Sequence, residues 1–403
     1  MCNWCRSTLL GLLPIACVAD TTSTTFDTRD SSGVVIVENR GTIWQDGPAW
    51  VLAPSPSVDI GAMSGSPEYE LFQANSAVRL ANGQIVVANS GSAELRFYDR
   101  AGTHIRSVGG RGSGPGEFEN LLWVRKCDGD SLLVWDLRLR RGSVFDITGE
   151  YQRSFTLPAE ASYIPFISFK NGTLLAQQAS QWMDQEWSDG VQRPAISILR
   201  FSPDGEQLTD IGAFPADEYW GSNDGEHPHR WRRAFGRRMA VAVSDSLIWI
   251  GTADDFSIDA YDPDGTLVRR VRVPMYETRA VREDHLAVWV QDAMATLEAS
   301  MAEHMRPFFE GVRPPDRLPP YERILVDSEG YVWTEHYVLP SDEHRTLSVF
   351  REDGSMLGDV NVPAGFRVLE IGRDYMLGRL LDELEVEHIQ LYRLARGQPR
   401  PRS

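Results

Sequence analysis

The sequence predicts an all-β protein: a six-bladed β-propeller with a helical insertion in blade five and an N-terminal strand that closes the ring. Two internal repeats predict it, and a third observation, the unequal spacing of the repeats, locates the insertion. The first repeat is a short apolar strand with an aromatic near its end, followed by a turn that closes on glycine. It occurs at Leu95–Gly102, Ser143–Gly149, Ile198–Gly205, Ile258–Gly265 and Leu347–Gly354, with a weaker sixth copy at Ile389–Leu394. Glycine suits the end of such a turn because it takes a positive φ without steric cost, and Asp and Pro prepare the turn before it.

The second repeat precedes the first. A polar turn leads into a nearly continuous apolar run: Gln84–Ala88, Ser131–Trp135, Thr173–Ala176, Leu247–Ile250, Tyr331–Trp333 and Tyr375–Leu377. A strand with one face in water alternates apolar and polar residues, whereas an unbroken apolar run is covered on both faces. Blades stacked around an axis cover their inner strands in this way. A β-sandwich also buries both faces in places, but it does not repeat strand, turn, strand and glycine six times.

The turn glycines Gly102, Gly149, Gly205, Gly265 and Gly354 stand 47, 56, 60 and 89 residues apart in turn. The shorter intervals suit one four-stranded blade with moderate loops. The longest requires an insertion. Between Arg279 and Phe309, Leu286, Val290, Met294, Leu297, Met301, Met305 and Phe308 fall at helical spacing, so an amphipathic helix is expected over about 279–311. Pro314, Pro315, Pro319 and Pro320 end it. The last repeat, Phe366–Leu394, holds only three strands; Val34–Glu38 or Trp50–Ile60 is expected to supply the fourth and remove the open sheet edge.

The first residues differ in kind from the rest. Arg6 precedes an apolar run from Leu9 to Ala16 that is too short to span a bilayer and has the layout of a secretory signal. The ending Leu13-Pro14-Ile15-Ala16-Cys17 resembles a bacterial lipobox, although Pro14 stands where that pattern prefers Leu. A plain signal peptide is the alternative. The domain plan is therefore a leader over 1–17, a flexible tether over 18–32, the propeller over 33–397 and a disordered tail over 398–403. The expected location is the bacterial cell envelope, as a periplasmic or outer-surface lipoprotein whose membrane contact is the lipid anchor on Cys17 alone.

Composition narrows the function. The chain carries a formal charge of −17, which argues against nucleic-acid binding because such proteins neutralise phosphates with Lys and Arg. Of four cysteines, Cys2, Cys5 and Cys17 belong to the leader, leaving Cys127 alone in the body with no disulfide framework. Asp128 and Asp130 beside Cys127 disfavour a reactive thiolate.

At Gly109-Gly110-Arg111-Gly112-Ser113-Gly114-Pro115-Gly116-Glu117-Phe118 the sequence resembles the glycine-rich turn of NHL-type propeller repeats, and residues 109–155 follow the order of that repeat. From about residue 33 the chain resembles the bacterial six-bladed β-propeller lipoprotein family related to NHL proteins. The resemblance implies the fold more strongly than any activity. The same glycines do not make a dinucleotide fingerprint, since the spacing is G-x-G-x-G, Pro115 interrupts it and strands follow.

Several residue groups bear on chemistry. His227 and His229, with Asp224 and Glu226 nearby, offer metal-binding types without an evident converging geometry. Calcium-dependent propeller lactonases resemble this fold and use Glu, Asn and Asp at the channel mouth; Asn89, Asp136 and Glu335 are the corresponding candidates here, each following an apolar run of a different blade. A divalent metal is implied only in that reading, and no cofactor is otherwise expected. No G-x-S-x-G elbow occurs, and Ser113 has no histidine predicted nearby. Residues 229–238 concentrate five arginines and two aromatics in an acidic chain. Arg232, Arg237 and Arg238, with Asp136, Arg138 and Glu335, are the ligand-binding candidates, because guanidinium forks hold carboxylates and phosphates bidentately. The competing reading pairs these arginines, and Arg138, Arg140 and Arg141, with the chain's own carboxylates.

Two functions remain open: a binding or assembly module for an envelope protein, a glycan or an anionic small molecule, and a metal-dependent, lactonase-like hydrolase or lyase.

Overall fold

The computed structural model describes residues 25–44, 49–127, 131–159, 163–178, 188–223, 228–295 and 297–397. The leader with Cys17, the candidates Asp224, Glu226 and His227, and the tail 398–403 lie outside the described residues.

Six antiparallel blades follow one another around an axis. Blade one is Ser76–Arg79, Ile85–Asn89, Glu94–Tyr98 and His104–Gly109. Blade two is Leu121–Cys127, Ser131–Asp136, Arg141–Asp146 and Tyr151–Thr156. Blade three is Tyr163–Ser168, Leu174–Gln178, Ala195–Phe201 and Gln207–Pro215. Blade four contributes Ala240–Val243, Ile248–Gly251, Ser257–Tyr261 and Leu267–Arg272. Blade five is Arg323–Val326, Val332–Glu335, His344–Phe350 and Met356–Pro363. Blade six has Arg367–Ile371, Tyr375–Leu381 and Glu387–Arg396. The first strands of neighbouring blades touch one another, so they line the axis.

The apolar runs are therefore the second strands, one step further from the axis than the sequence suggests. Ile85–Asn89, Ile248–Gly251 and Val332–Glu335 are buried at every position because a blade covers each face. The first strands are less uniformly buried because one edge meets the channel.

The repeated turn has a common construction. The carboxylate of Asp99 accepts the amides of Ala101 and Thr103, that of Asp146 those of Thr148 and Glu150, and that of Asp262 those of Asp264 and Thr266. Ser202 does the same with its hydroxyl. The closing glycine has φ of +88° at Gly205 and +92° at Gly354. It also touches the preceding blade: a Cβ on Gly205 would stand 2.2 Å from the Thr156 carbonyl oxygen, and one on Gly354 would stand 2.7 Å from Val271. Turn conformation and blade stacking thus both require glycine.

Ring closure divides the two expected strands between two blades. Trp50–Leu52 and Val58–Ile60 both pair with Glu387–Arg396, completing blade six. Val34–Asn39 instead pairs in parallel with Leu267–Arg272, lengthening blade four, and Phe26–Ser31 pairs outside it. The tether expected over 18–32 thus includes a strand. Between these pairings the chain crosses blade five, where the amides of Ile43 and Trp44 donate to the Met356 and Leu357 carbonyls. Trp44 and Trp50 sit in the core shared by blades five and six.

The insertion is two helices rather than one, α1 (Glu283–Ala295) and α2 (Ala299–Gly311), placed between the last strand of blade four and the first of blade five. Leu286, Val290, Met294, Leu297, Met305 and Phe308 join one apolar cluster, while Met301 is 50% exposed. A three-stranded ribbon, Gly190–Gln192, Tyr219–Asn223 and Pro228–Arg232, extends from blade three and was not anticipated from sequence. Its Trp220 and Trp231 enter the same cluster, and Trp231 packs edge-on to Phe309 at 5.3 Å. Ribbon and helices form a second small core outside the blades.

Asn39 ties the belt to the ring. Its side chain is fully buried, donates to the Gly354 carbonyl at 2.9 Å and accepts the Met356 amide at 2.8 Å. Asn39→Ala leaves both backbone groups unpaired and is expected to destabilise the protein by about 2–3 kcal/mol, read as a lower midpoint in urea unfolding. An unchanged midpoint would show that the belt is not fastened there.

Candidate functional site

The first strands surround an axial channel that opens at both ends. Toward their starts lies a cavity of about 370 Å³ lined by Arg125, Gln177, Glu322 and Arg323 from the blades and by Asp217, Tyr219 and Arg232 from the ribbon and its approach. Toward their ends lies a wider mouth of about 800 Å³ that includes Arg125, Lys126, Cys127, Lys170 and Glu370. The small core of ribbon and helices stands on the first side only, which makes the two mouths different.

The Arg-rich segment 229–238 is held by a buried carboxylate. Glu218, with a side chain only 1% exposed, meets Arg233 at 2.9 Å and Arg237 at 2.5 Å. It also accepts the Arg237 amide at 3.2 Å. Burial works against its charged form, but the hydrogen bonds from Arg233 and Arg237 outweigh burial and hold the carboxyl below its ordinary range. Arg237 reaches Asp254 at 2.7 Å as well, Arg232 pairs with Asp217 at 3.0 Å, and Arg238 lies 3.8 Å from Glu322 and over the Tyr337 ring. Arg232, Arg237 and Arg238 are thus each paired with a carboxylate of the chain. Of the three, Arg232 also lines the channel cavity.

The structure does not gather Asn89, Asp136 and Glu335 into one site. They occupy the same place in three blades, the last residue of the second strand, and each serves its own blade. Asn89 accepts the Phe72 amide at 2.8 Å and donates to Ser92. Asp136 accepts the amides of Glu119, Asn120 and Leu139 at 2.7–3.0 Å. Glu335 pairs with Arg323 at 2.9 Å and Arg345 at 2.6 Å. All three are at most 1% exposed. Their donor atoms are turned to these partners, so they do not fit a shared calcium. Among the described residues no group of three or more His, Cys, Asp and Glu is placed to hold a metal ion. His229 packs edge-on to the rings of His304 and Phe308.

The remaining arginine candidates are also local. Arg138 pairs with Glu119 at 2.8 Å while 76% exposed, and Arg140 adopts a positive φ of 52° in the turn after the second strand. Arg141 donates to the carbonyls of Ser113, Gly114 and Glu117, which fixes the glycine-rich connection between blades one and two.

A serine, a histidine and an aspartate do meet in blade five. His336 Nε2 lies 2.9 Å from Ser348 Oγ, and that hydroxyl donates to Asp359 at 2.7 Å. Burial pushes the His336 pKa down to about 4, so the ring is neutral at physiological pH. The carboxylate holds the serine rather than the histidine, and Ser348 is fully buried, so the order is not that of a nucleophilic triad.

What sequence reasoning missed is the charge on the first strands. Arg125, Arg323 and Arg367 interrupt the otherwise largely apolar stretches Leu121–Cys127, Arg323–Val326 and Arg367–Ile371. A cation in the short strand before the apolar run of blades two, five and six was the available signal.

Glu218 makes a pH-dependent contribution. A carboxyl lowered by folding from 4.5 stabilises the native state above that value, and the contribution is lost as pH falls below it. Glu218→Gln is expected to cost about 2–3 kcal/mol at pH 7, with the gap to the natural protein narrowing below about pH 4.5. Denaturation midpoints at pH 7 and pH 4 check this; equal midpoints at pH 7 would show that the arginines are not held by Glu218.

Residues 67–188 match the model of a family described as a 6-bladed beta-propeller, a span from the approach to blade one through the second strand of blade three. No curated protein matches the sequence. Among solved structures, the chain is similar to a Bacteroides fragilis protein described as exported, at 13% identity and TM-score 0.46 over 89% of this chain and 99% of that one. It is also similar to a DUF4221-family member from Bacteroides vulgatus, at 11% identity and TM-score 0.48 over 86% and 98%. A gluconolactonase from Xanthomonas campestris matches at 13% identity and TM-score 0.39 over 86% and 98%.

Proposed function

We propose that this six-bladed propeller is an exported, lipid-anchored binding module that receives its ligand or protein partner at the capped end of the axial channel. The observation that supports this reading is the asymmetry of the two mouths. Ribbon and helices form a separate apolar core beside one mouth and bring Asp217, Tyr219 and Arg232 to its cavity. A rigid ring with an elaborated rim suits recognition, because binding side chains held by packed elements lose little freedom on association. The cavity of about 370 Å³ falls within the range of small-ligand sites.

Export and anchoring rest on the leader sequence. Acyl chains on Cys17 would each contribute about 0.8 kcal/mol per buried CH₂, enough in combination for firm membrane attachment. Cys17→Ser is expected to move the protein from the membrane fraction to the soluble fraction; unchanged fractionation rejects the anchor. The alternative, a lactonase-like hydrolase or lyase, needs a channel metal. Elemental analysis of purified protein is expected to find divalent metal well below one ion per chain, and a stoichiometric ion would overturn the pure binding module.

A further inference from the structure

We propose that the axial channel binds a small oxyanion, a carboxylate- or phosphate-bearing molecule, at the guanidinium groups of Arg125 and Arg323. The proposal rests on the binding-module reading and adds the chemistry of its ligand.

Three blades carry an arginine on the strand nearest the axis, Arg125, Arg323 and Arg367, of which Arg125 and Arg323 line the cavity. Arg125 of blade two donates to Ser76 Oγ at 3.2 Å and to the Val124 carbonyl at 3.1 Å, and no carboxylate among the described residues pairs with it. The carboxylate that acts on it at longer range, Glu370, is held by Lys126 at 2.8 Å and by the Tyr375 hydroxyl. Arg323 of blade five shares Glu335 and donates to the Val368 carbonyl. Arg367 of blade six forms no ion pair with the described residues, although Glu335 and Glu322 act on it from a distance. Those two carboxylates are already engaged by Arg238, Arg323 and Arg345. Three cations therefore meet two anions before Arg125 and Arg367 are added.

The surplus is felt by the groups themselves. Burial first, and repulsion from Arg323 second, push both Arg125 and Arg367 down to about 10. Both stay charged at neutral pH. In a protein of net charge −17, arginines left in mutual repulsion beside a cavity stand against the overall composition. The contrast with Arg237 is direct: that arginine has two carboxylates, whereas Arg125 has none among the described residues. Planar guanidinium forks match carboxylate and phosphate oxygens bidentately. Arg125 and Arg323 both line the 370 Å³ cavity, where Gln177 and Tyr219 add polar groups and the two carboxylates, Asp217 and Glu322, are engaged by Arg232 and by Arg238 and Arg345. An anion there would relieve the repulsion and take up forks that the protein does not use.

Calorimetric titration of the full chain with citrate and, separately, inorganic phosphate tests this, with sodium chloride at matched ionic strength as the control. The expected result is saturable binding of at least one probe, weakened about tenfold or more in Arg125→Gln. Arg138→Gln, which lies outside the channel cavity, should bind as the natural protein does. Arg125→Gln should stay folded and melt close to the natural protein, because it relieves repulsion, breaks no ion pair and loses only the hydrogen bonds to Ser76 Oγ and the Val124 carbonyl. Preference for citrate assigns a carboxylate ligand and preference for phosphate a phosphoryl ligand. No saturable heat with either probe, or undiminished binding in Arg125→Gln, would overturn the proposal. Metal analysis keeps the two readings apart: metal-free protein that binds neither probe loses the ligand class and remains a binding-module candidate, whereas stoichiometric metal overturns the module itself.

Discussion

The pairing of Trp50–Leu52 and Val58–Ile60 with the last strand, Glu387–Arg396, is the constraint on which the ring depends. A propeller is a stack of twisted sheets bent into a circle, and every blade shields the face of the next. If blade six kept only its own three strands, its outer edge would stay open and the Trp44–Trp50 core would lose one wall. The pairing joins the two ends of the chain across more than three hundred residues. Blades one to five have mainly local contacts of their own, but their mutual stacking becomes a closed ring only when this distant pair forms.

The same N-terminal belt reaches beyond blade six. It lengthens blade four in parallel, crosses blade five by way of Asn39 and Trp44, and only then turns into blade six. Three blades are thereby fastened by one segment on the same side where α1 and α2 leave the ring. The insertion separates blades four and five in sequence by some fifty residues, so a belt across that junction compensates for a weak covalent link. Turn glycines add a smaller version of the same device at each junction, since Gly205 and Gly354 admit the preceding blade where any side chain would collide.

Charge is organised at two levels. Most arginines are matched: Glu218 gathers Arg233 and Arg237, Asp259 takes Arg270, and at the cavity Asp217 takes Arg232. Such pairs shape loops, and their geometry explains why a stretch with five arginines folds against an acidic protein instead of standing out as a cationic patch. At the cavity Arg125 has no carboxylate partner among the described residues, and neither has Arg367 at the start of the first strand of blade six. Sequence composition makes the first group conspicuous and hides the second, because a run of arginines is easy to see while single arginines on separate strands are not.

From sequence alone, the repeat determined the blade count, the turn glycines and the approximate place of the helical insertion, because these depend on local periodicity and on the steric demand of a positive φ. Asn89, Asp136 and Glu335 were also legible as equivalent positions, but their equivalence misled: repetition places similar residues in similar structural roles, each facing its own blade. Tertiary structure decided what required separation in sequence to be overcome. It sent Val34–Asn39 to blade four and Trp50–Ile60 to blade six, joined the blade-three ribbon to α1 and α2, and brought Arg125, Arg323 and Arg367 around one axis. Nothing local distinguishes a first-strand arginine that will face a carboxylate from one that will face another arginine, since that choice is made by the neighbouring blades once the ring has closed.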